Sequence, residues 1–89
     1  MQLDLHSFSL KEAKEQIKKT ITYCYNNNIN SIEIIHGFNN GQQIKNYLKN
    51  SKELRNLKEV KDIFPSLLNS GKSIIYLNIK ANSNSITDL

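Results

Sequence analysis

Two short apolar runs, each closed by one of the chain's two histidines, limit the fold more than any other feature. The first is Leu3-Asp4-Leu5-His6; the second is Ile32-Glu33-Ile34-Ile35-His36-Gly37. Both read as β-strands, over residues 2–6 and 31–36, because aliphatic and β-branched residues dominate and polar ones interrupt at period two. One helix-length segment separates them. Strand, helix and strand make a βαβ unit, whose parallel strands end at the same edge of the sheet. Open α/β sheets place their ligands at that carboxyl edge. Both histidines are therefore expected to emerge there, as parts of one site.

The segments between and after these runs complete a small fold. Ser9 and Glu12 form a capping-box pattern, and Leu10, Ala13, Ile17, Ile21 and Cys24 follow at helical spacing, so a helix is expected from Leu10 to Tyr25. Cys24 lies on that apolar stripe and reads as a core residue rather than a reactive thiol. Lys11, Lys14 and Lys18 lie opposite, as a solvated face or as a surface for nucleic acid. Asn26-Asn27-Asn28 ends the helix, since asparagine tolerates the left-handed conformation. A second helix is expected from near Gly41, with Ile44, Tyr47 and Leu48 inward. Asn50 and Glu53 offer another capping box and a short extension to Leu57. Val60–Leu67 reads as a strand that Pro65 confines to a sheet edge. Asn69-Ser70-Gly71-Lys72 is a hairpin turn before Ser73–Lys80, the strongest strand in the chain. The order β-α-β-α-β-β predicts an α/β fold: an α+β two-layer sandwich, with two main helices on a small mixed four-stranded sheet. One domain is expected over residues 1–80, with a flexible polar tail over 81–89.

Composition narrows the function classes. At 89 residues the chain supports one modest core. No apolar run approaches the ~18 residues of a membrane span. The N-terminus shows no signal-peptide pattern, and one cysteine allows no internal disulfide. A cytoplasmic, free-standing protein is the expectation. The net charge of +4 suits a nucleic-acid partner without requiring one.

The chemistry sits at the predicted edge. Asp4 and His6 are two apart on one strand, and a carboxylate beside an imidazole fixes its tautomer and raises its basicity. Such a pair can act as a general base on water or on a ribose hydroxyl. It can equally supply two ligands of a divalent metal, or simply cap a loop. After His36, the stretch from Gly37 to Gly41 leads into a helix N-terminus, whose unpaired N–H groups suit phosphate. Lys45 adds a charge one turn in. Asn39 and Asn40 can hydrogen-bond phosphates or bases, and Phe38 can stack on a base or anchor the loop.

Leu3-Asp4-Leu5-His6, the Ser-capped helix, Ile34-Ile35-His36-Gly37 with its glycine-bearing loop, and the Gly71 turn before a last apolar strand together resemble the Smr (small MutS-related) domain family over residues ~2–80. The resemblance implies a fold like the C-terminal domain of bacterial translation initiation factor three. It also implies DNA or RNA as partner and, in some members, nicking of DNA or cleavage of RNA. It carries a cleavage role to Asp4 and His6, and a role near the substrate to His36 and Gly37. His36 would position the scissile phosphate or protonate the leaving group. Many members continue Gly-Lys-Gly-Thr-Gly after the histidine; this chain has Gly37-Phe38-Asn39-Asn40-Gly41. A binding module for DNA, RNA or the ribosome without turnover therefore stands beside the nuclease reading. A protein-interaction surface on Tyr23, Tyr25 and Tyr47 is a third. No small-molecule cofactor or membrane is expected, and a divalent metal is allowed but not required.

Overall fold

The computed structural model describes residues 1–37 and 42–80. The loop residues Phe38, Asn39, Asn40 and Gly41 and the tail over 81–89 lie outside the described residues. The elements are β1 (Gln2–Asp4), α1 (Leu10–Asn26), β2 (Ser31–Ile35), α2 (Gln42–Asn50), α3 (Lys52–Arg55), β3 (Val60–Pro65) and β4 (Lys72–Leu77). The strands form one mixed sheet in the order β1-β2-β4-β3. β1 runs parallel to β2, while β4 pairs antiparallel with both β2 and β3. The predicted α/β two-layer architecture is the observed one, with α3 as a short addition.

Local chemistry accounts for the elements. Ser9 caps α1 with a complete capping box: Ser9 Oγ accepts from Glu12 N–H at 3.2 Å, and Glu12 Oε1 accepts from Ser9 N–H at 3.1 Å. The helix ends at the asparagines as expected, Asn27 as C-cap and Asn28 left-handed at φ 60. The start of α3 differs from expectation. Ser51, not Asn50, is its cap, with Oγ accepting from Leu54 N–H at 3.1 Å. Glu53 instead reaches Lys18 of α1 at 2.6 Å. Lys14 lies over the Tyr47 ring, 4.9 Å from its centroid, so two lysines of the predicted solvated stripe bridge to neighbouring elements. β3 is an edge strand, as Pro65 requires, with an irregularity between Val60 and Asp62.

One face of the sheet carries the core. Ile32 and Ile34 of β2 and Ile75 and Leu77 of β4 point toward Ala13, Ile17, Ile21 and Cys24 of α1, and Ile44 and Leu48 of α2. Burial pushes the Cys24 thiol pKa up, in keeping with a core role. Strand alternation places Gln2, Asp4, Glu33, Ile35, Lys72, Ile74 and Tyr76 on the opposite, open face. There Gln2 Nε2 donates to Glu33 Oε1 at 2.7 Å, and Lys72 Nζ approaches the same oxygen at 3.5 Å. Among the described residues no helix is long and apolar enough to cross a membrane.

Ile75 is fully buried on a central strand, whereas Tyr23 is exposed on α1. Ile75→Ala is expected to cost about 2–5 kcal/mol of stability and Tyr23→Ala no more than about 0.5 kcal/mol. Urea denaturation followed by circular dichroism checks both; equal losses would contradict this location of the core.

Candidate active site

Parallel pairing brings the two histidine motifs together. Leu3 lies opposite Ile34 and Asp4 opposite Ile35. Leu5 N–H donates to Ile35 O at 2.7 Å, and Phe8 N–H then closes a turn onto Leu5 O at 3.0 Å. Regular strand structure ends at Asp4, two residues before the predicted end. Leu5 is buried in the core and His6 leaves the sheet as part of the turn.

His6 meets Asp4 through this turn rather than through strand alternation. Its Nδ1 lies 2.6 Å from Asp4 Oδ1, and its backbone N–H donates to the same oxygen at 3.1 Å. The two side chains are 64% and 53% exposed, so the pair is open to a large substrate. The hydrogen bond from the His6 ring, followed by that from its backbone, lowers the Asp4 carboxyl pKa. An ionised carboxylate only accepts, so Nδ1 carries the proton. In the neutral ring Nε2 is then the lone-pair nitrogen, the arrangement a general base needs.

His36 has a different environment. Strand alternation turns it to the same side as Ile32 and Ile34, and it is fully buried. It reaches the edge as expected but does not emerge into solvent. Its Nδ1 lies 3.0 Å from Gly37 O, and its Nε2 lies 3.0 Å from Ser73 Oγ. A carbonyl only accepts, so Nδ1–H donates to Gly37 and Nε2 accepts the Ser73 hydroxyl proton. Both nitrogens are occupied. Burial is the main cause of a lowered pKa, with the Lys45 charge acting in the same direction. The neutral ring joins the end of β2 to the start of β4. Sequence reasoning missed Ser73, a polar residue at a core-facing position of an apolar strand, opposite Ile34.

Gly37 adopts φ +83, a conformation that strains any other residue. A Cβ there would lie 3.5 Å from His6 Cβ, which is ordinary contact. The glycine is therefore required by its backbone, and it places the two motifs against each other. Gly71 O accepts from both His36 N–H (2.9 Å) and Gly37 N–H (3.0 Å), tying the β3–β4 hairpin to the same turn. On the helical side, Lys45 and Lys49 of α2 line a cleft with Ser73 and Pro65; Lys49 was not among the predicted residues. Phe38, Asn39, Asn40 and Gly41 of the predicted site lie outside the described residues. Among the described residues no group of three His, Cys, Asp or Glu side chains could hold a metal ion. Asp4 and His6 supply two possible donors.

The family model of the Smr domain matches residues 3–78. This chain belongs to the Smr domain family. Its fold is similar to that of the Smr domain of Thermus thermophilus MutS2, with a TM-score of 0.68 and 17% identity, over 86% of this chain and 96% of that one. It is also similar to YdaL, a stand-alone small MutS-related protein from Escherichia coli, with a TM-score of 0.73 and 18% identity, over 86% of this chain and 63% of that one. No curated protein matches it by sequence. At these identities the structural likenesses speak to the fold. The Smr family is associated with nucleic-acid binding and nuclease activity.

The lowered pKa of His36 has a consequence for this Smr domain. The folded state binds the His36 proton less readily than the unfolded chain, whose histidine titrates near 6.5. Its contribution to stability is full above that pH and is lost as pH falls through the lower folded value. Melting temperature is expected to start to drop as pH falls below about 6.5, before the carboxylates become protonated. His36→Gln should flatten that part of the profile; an unchanged slope in the variant would assign the effect elsewhere.

Proposed function

We propose that this Smr domain binds nucleic acid at the carboxyl edge of its sheet and cleaves the phosphodiester backbone there. One observation carries the reading: His6 Nδ1 is held 2.6 Å from Asp4 Oδ1, leaving Nε2 as base on an open edge. Asp4 fixes the tautomer and stabilises the imidazolium that forms. His6 Nε2 takes the proton of the attacking oxygen, from water or a ribose 2′-hydroxyl. That oxygen forms its bond to phosphorus as the leaving oxygen departs and takes a proton from solvent. Gly37, Lys45 and the loop Phe38-Asn39-Asn40-Gly41 receive the phosphate. His36 acts through its hydrogen bond to Gly37, positioning the turn rather than exchanging protons, because both its nitrogens are occupied.

The second reading is a binding module without turnover. It draws on the loop after Gly37, where Phe38-Asn39-Asn40 stand in place of the glycine-rich segment common in the family. The two readings separate in one assay. His6→Ala should lower nicking of supercoiled plasmid or cleavage of structured RNA by about 10²–10⁴-fold. Asp4→Asn should also impair cleavage, and both variants should bind substrate as wild type does. Binding should weaken steeply between about 50 and 200 mM salt. Salt-sensitive binding without turnover in wild type would leave the binding module; equal cleavage by wild type and both variants would remove Asp4 and His6 from the mechanism.

A further inference from the structure

The helices cover one face of the sheet, and the open face holds two different surfaces. On the β1 side stands Asp4, in one row with Ile35 and Lys72 through the strand register. On the β3 side Phe64, Pro65, Leu67, Leu68, Ile74 and Tyr76 line an open apolar groove. Phe64 lies opposite Ile74, and its ring meets that of Tyr76 edge to face, with centroids 6.0 Å apart.

Leu67 and Leu68 are 99% and 98% exposed, yet their loop is held by defined hydrogen bonds. Ser66 Oγ accepts from Leu68 N–H at 3.3 Å and Asn69 N–H at 3.2 Å. Asn69 Oδ1 accepts from Gly71 N–H at 2.8 Å. Ser66 N–H and Lys72 N–H close the hairpin onto Lys72 O and Asn69 O. The fold gains no burial from either leucine. A contiguous exposed apolar patch of this kind marks a binding surface.

Its position argues for what binds. The hairpin end that carries the leucines is fastened through Gly71 O to the His36-Gly37 turn, which fixes the patch relative to the candidate active site on the same open face. Three strand spacings separate β1 from β3, about 14 Å, the length of about four stacked base steps. Lys72, between the two surfaces, stands on that path, with its Nζ 3.5 Å from Glu33 Oε1. Exposed aromatics on a sheet face stack unpaired bases, and leucines at a hairpin tip can wedge between base steps.

We propose that the open sheet face is a base platform: unpaired bases about four steps from the cleaved phosphate stack on Phe64 and Tyr76 and are clamped by Leu67 and Leu68. The substrate is then a nucleic acid with a single-stranded stretch that reaches about four bases from the cut site. This rests on the cleavage reading of Asp4 and His6.

The test measures fluorescence anisotropy with a labelled twelve-nucleotide oligouridine, a thymidine strand of the same length and a blunt duplex. Wild type is compared with Phe64→Ala and with the fully exposed pair Leu67→Ser and Leu68→Ser, all checked for folding by circular dichroism. The paired leucine variant and Phe64→Ala should each bind one or both single strands about ten-fold or more weakly while duplex affinity holds. Unchanged single-strand affinity in the folded leucine variant overturns the platform, including when the same change abolishes self-association in sedimentation, which would assign the patch to a second copy of the chain. Wild type that binds none of the probes and cleaves nothing removes both this proposal and the reading beneath it. Wild type that binds and cleaves, with patch variants equal to it in both, removes the platform alone.

Discussion

The parallel pairing of β1 with β2 sets Asp4 opposite Ile35, so that His6 and Gly37 leave the sheet side by side. The chemistry at this edge depends on that register. A slip of one residue would turn every side chain of the three-residue β1 to the opposite face and move Asp4 off the open face. The register is held at both ends of β1, and before the strand Glu33 N–H donates to Met1 O at 2.8 Å. Leu5, just beyond the strand, is buried in the core, and its N–H continues the pairing to Ile35 O. The helices then need only cover one face, and the carboxyl edge stays accessible.

The two histidines show how partner and burial divide one side chain between two uses. Each presents Nδ1 to an oxygen that can only accept, so each carries its proton there. They differ at the other nitrogen. His6 is exposed, and in its neutral ring Nε2 is the lone-pair nitrogen. In His36 that nitrogen accepts the Ser73 hydroxyl inside the core, and burial favours the neutral ring. The first arrangement suits proton transfer to a substrate; the second suits holding a turn in place beside it.

The charge of the chain gains meaning only when located. Lys14 is engaged with the Tyr47 ring and Lys18 with Glu53, so the predicted lysine stripe on α1 serves partly to join helices. Lys45 and Lys49 lie nearer the edge, where a phosphate backbone would benefit from them. The open face adds apolar and aromatic surface at the other end of the same sheet.

Much of this was legible in the sequence. Alternation and helical spacing identified both main helices and the strands, the asparagine run marked the end of α1, and Pro65 marked an edge strand. The adjacency of the two motifs followed from βαβ geometry. What periodicity could not supply was the environment of each side chain. Strand alternation turns His36 toward the core, but the partner of its Nε2 is Ser73, thirty-seven positions away. Whether a lysine is free depends on which helix packs beside it, and the cap of α3 depended on which of two adjacent polar residues met the Leu54 N–H. The apolar hairpin was likewise invisible as a feature: Leu67 reads as the end of a strand, whereas β3 ends at Pro65 and both leucines are exposed. Local preference and spacing act through the covalent chain, so sequence alone determines them; burial, protonation and accessibility arise from groups distant in sequence, and only the tertiary structure decides them.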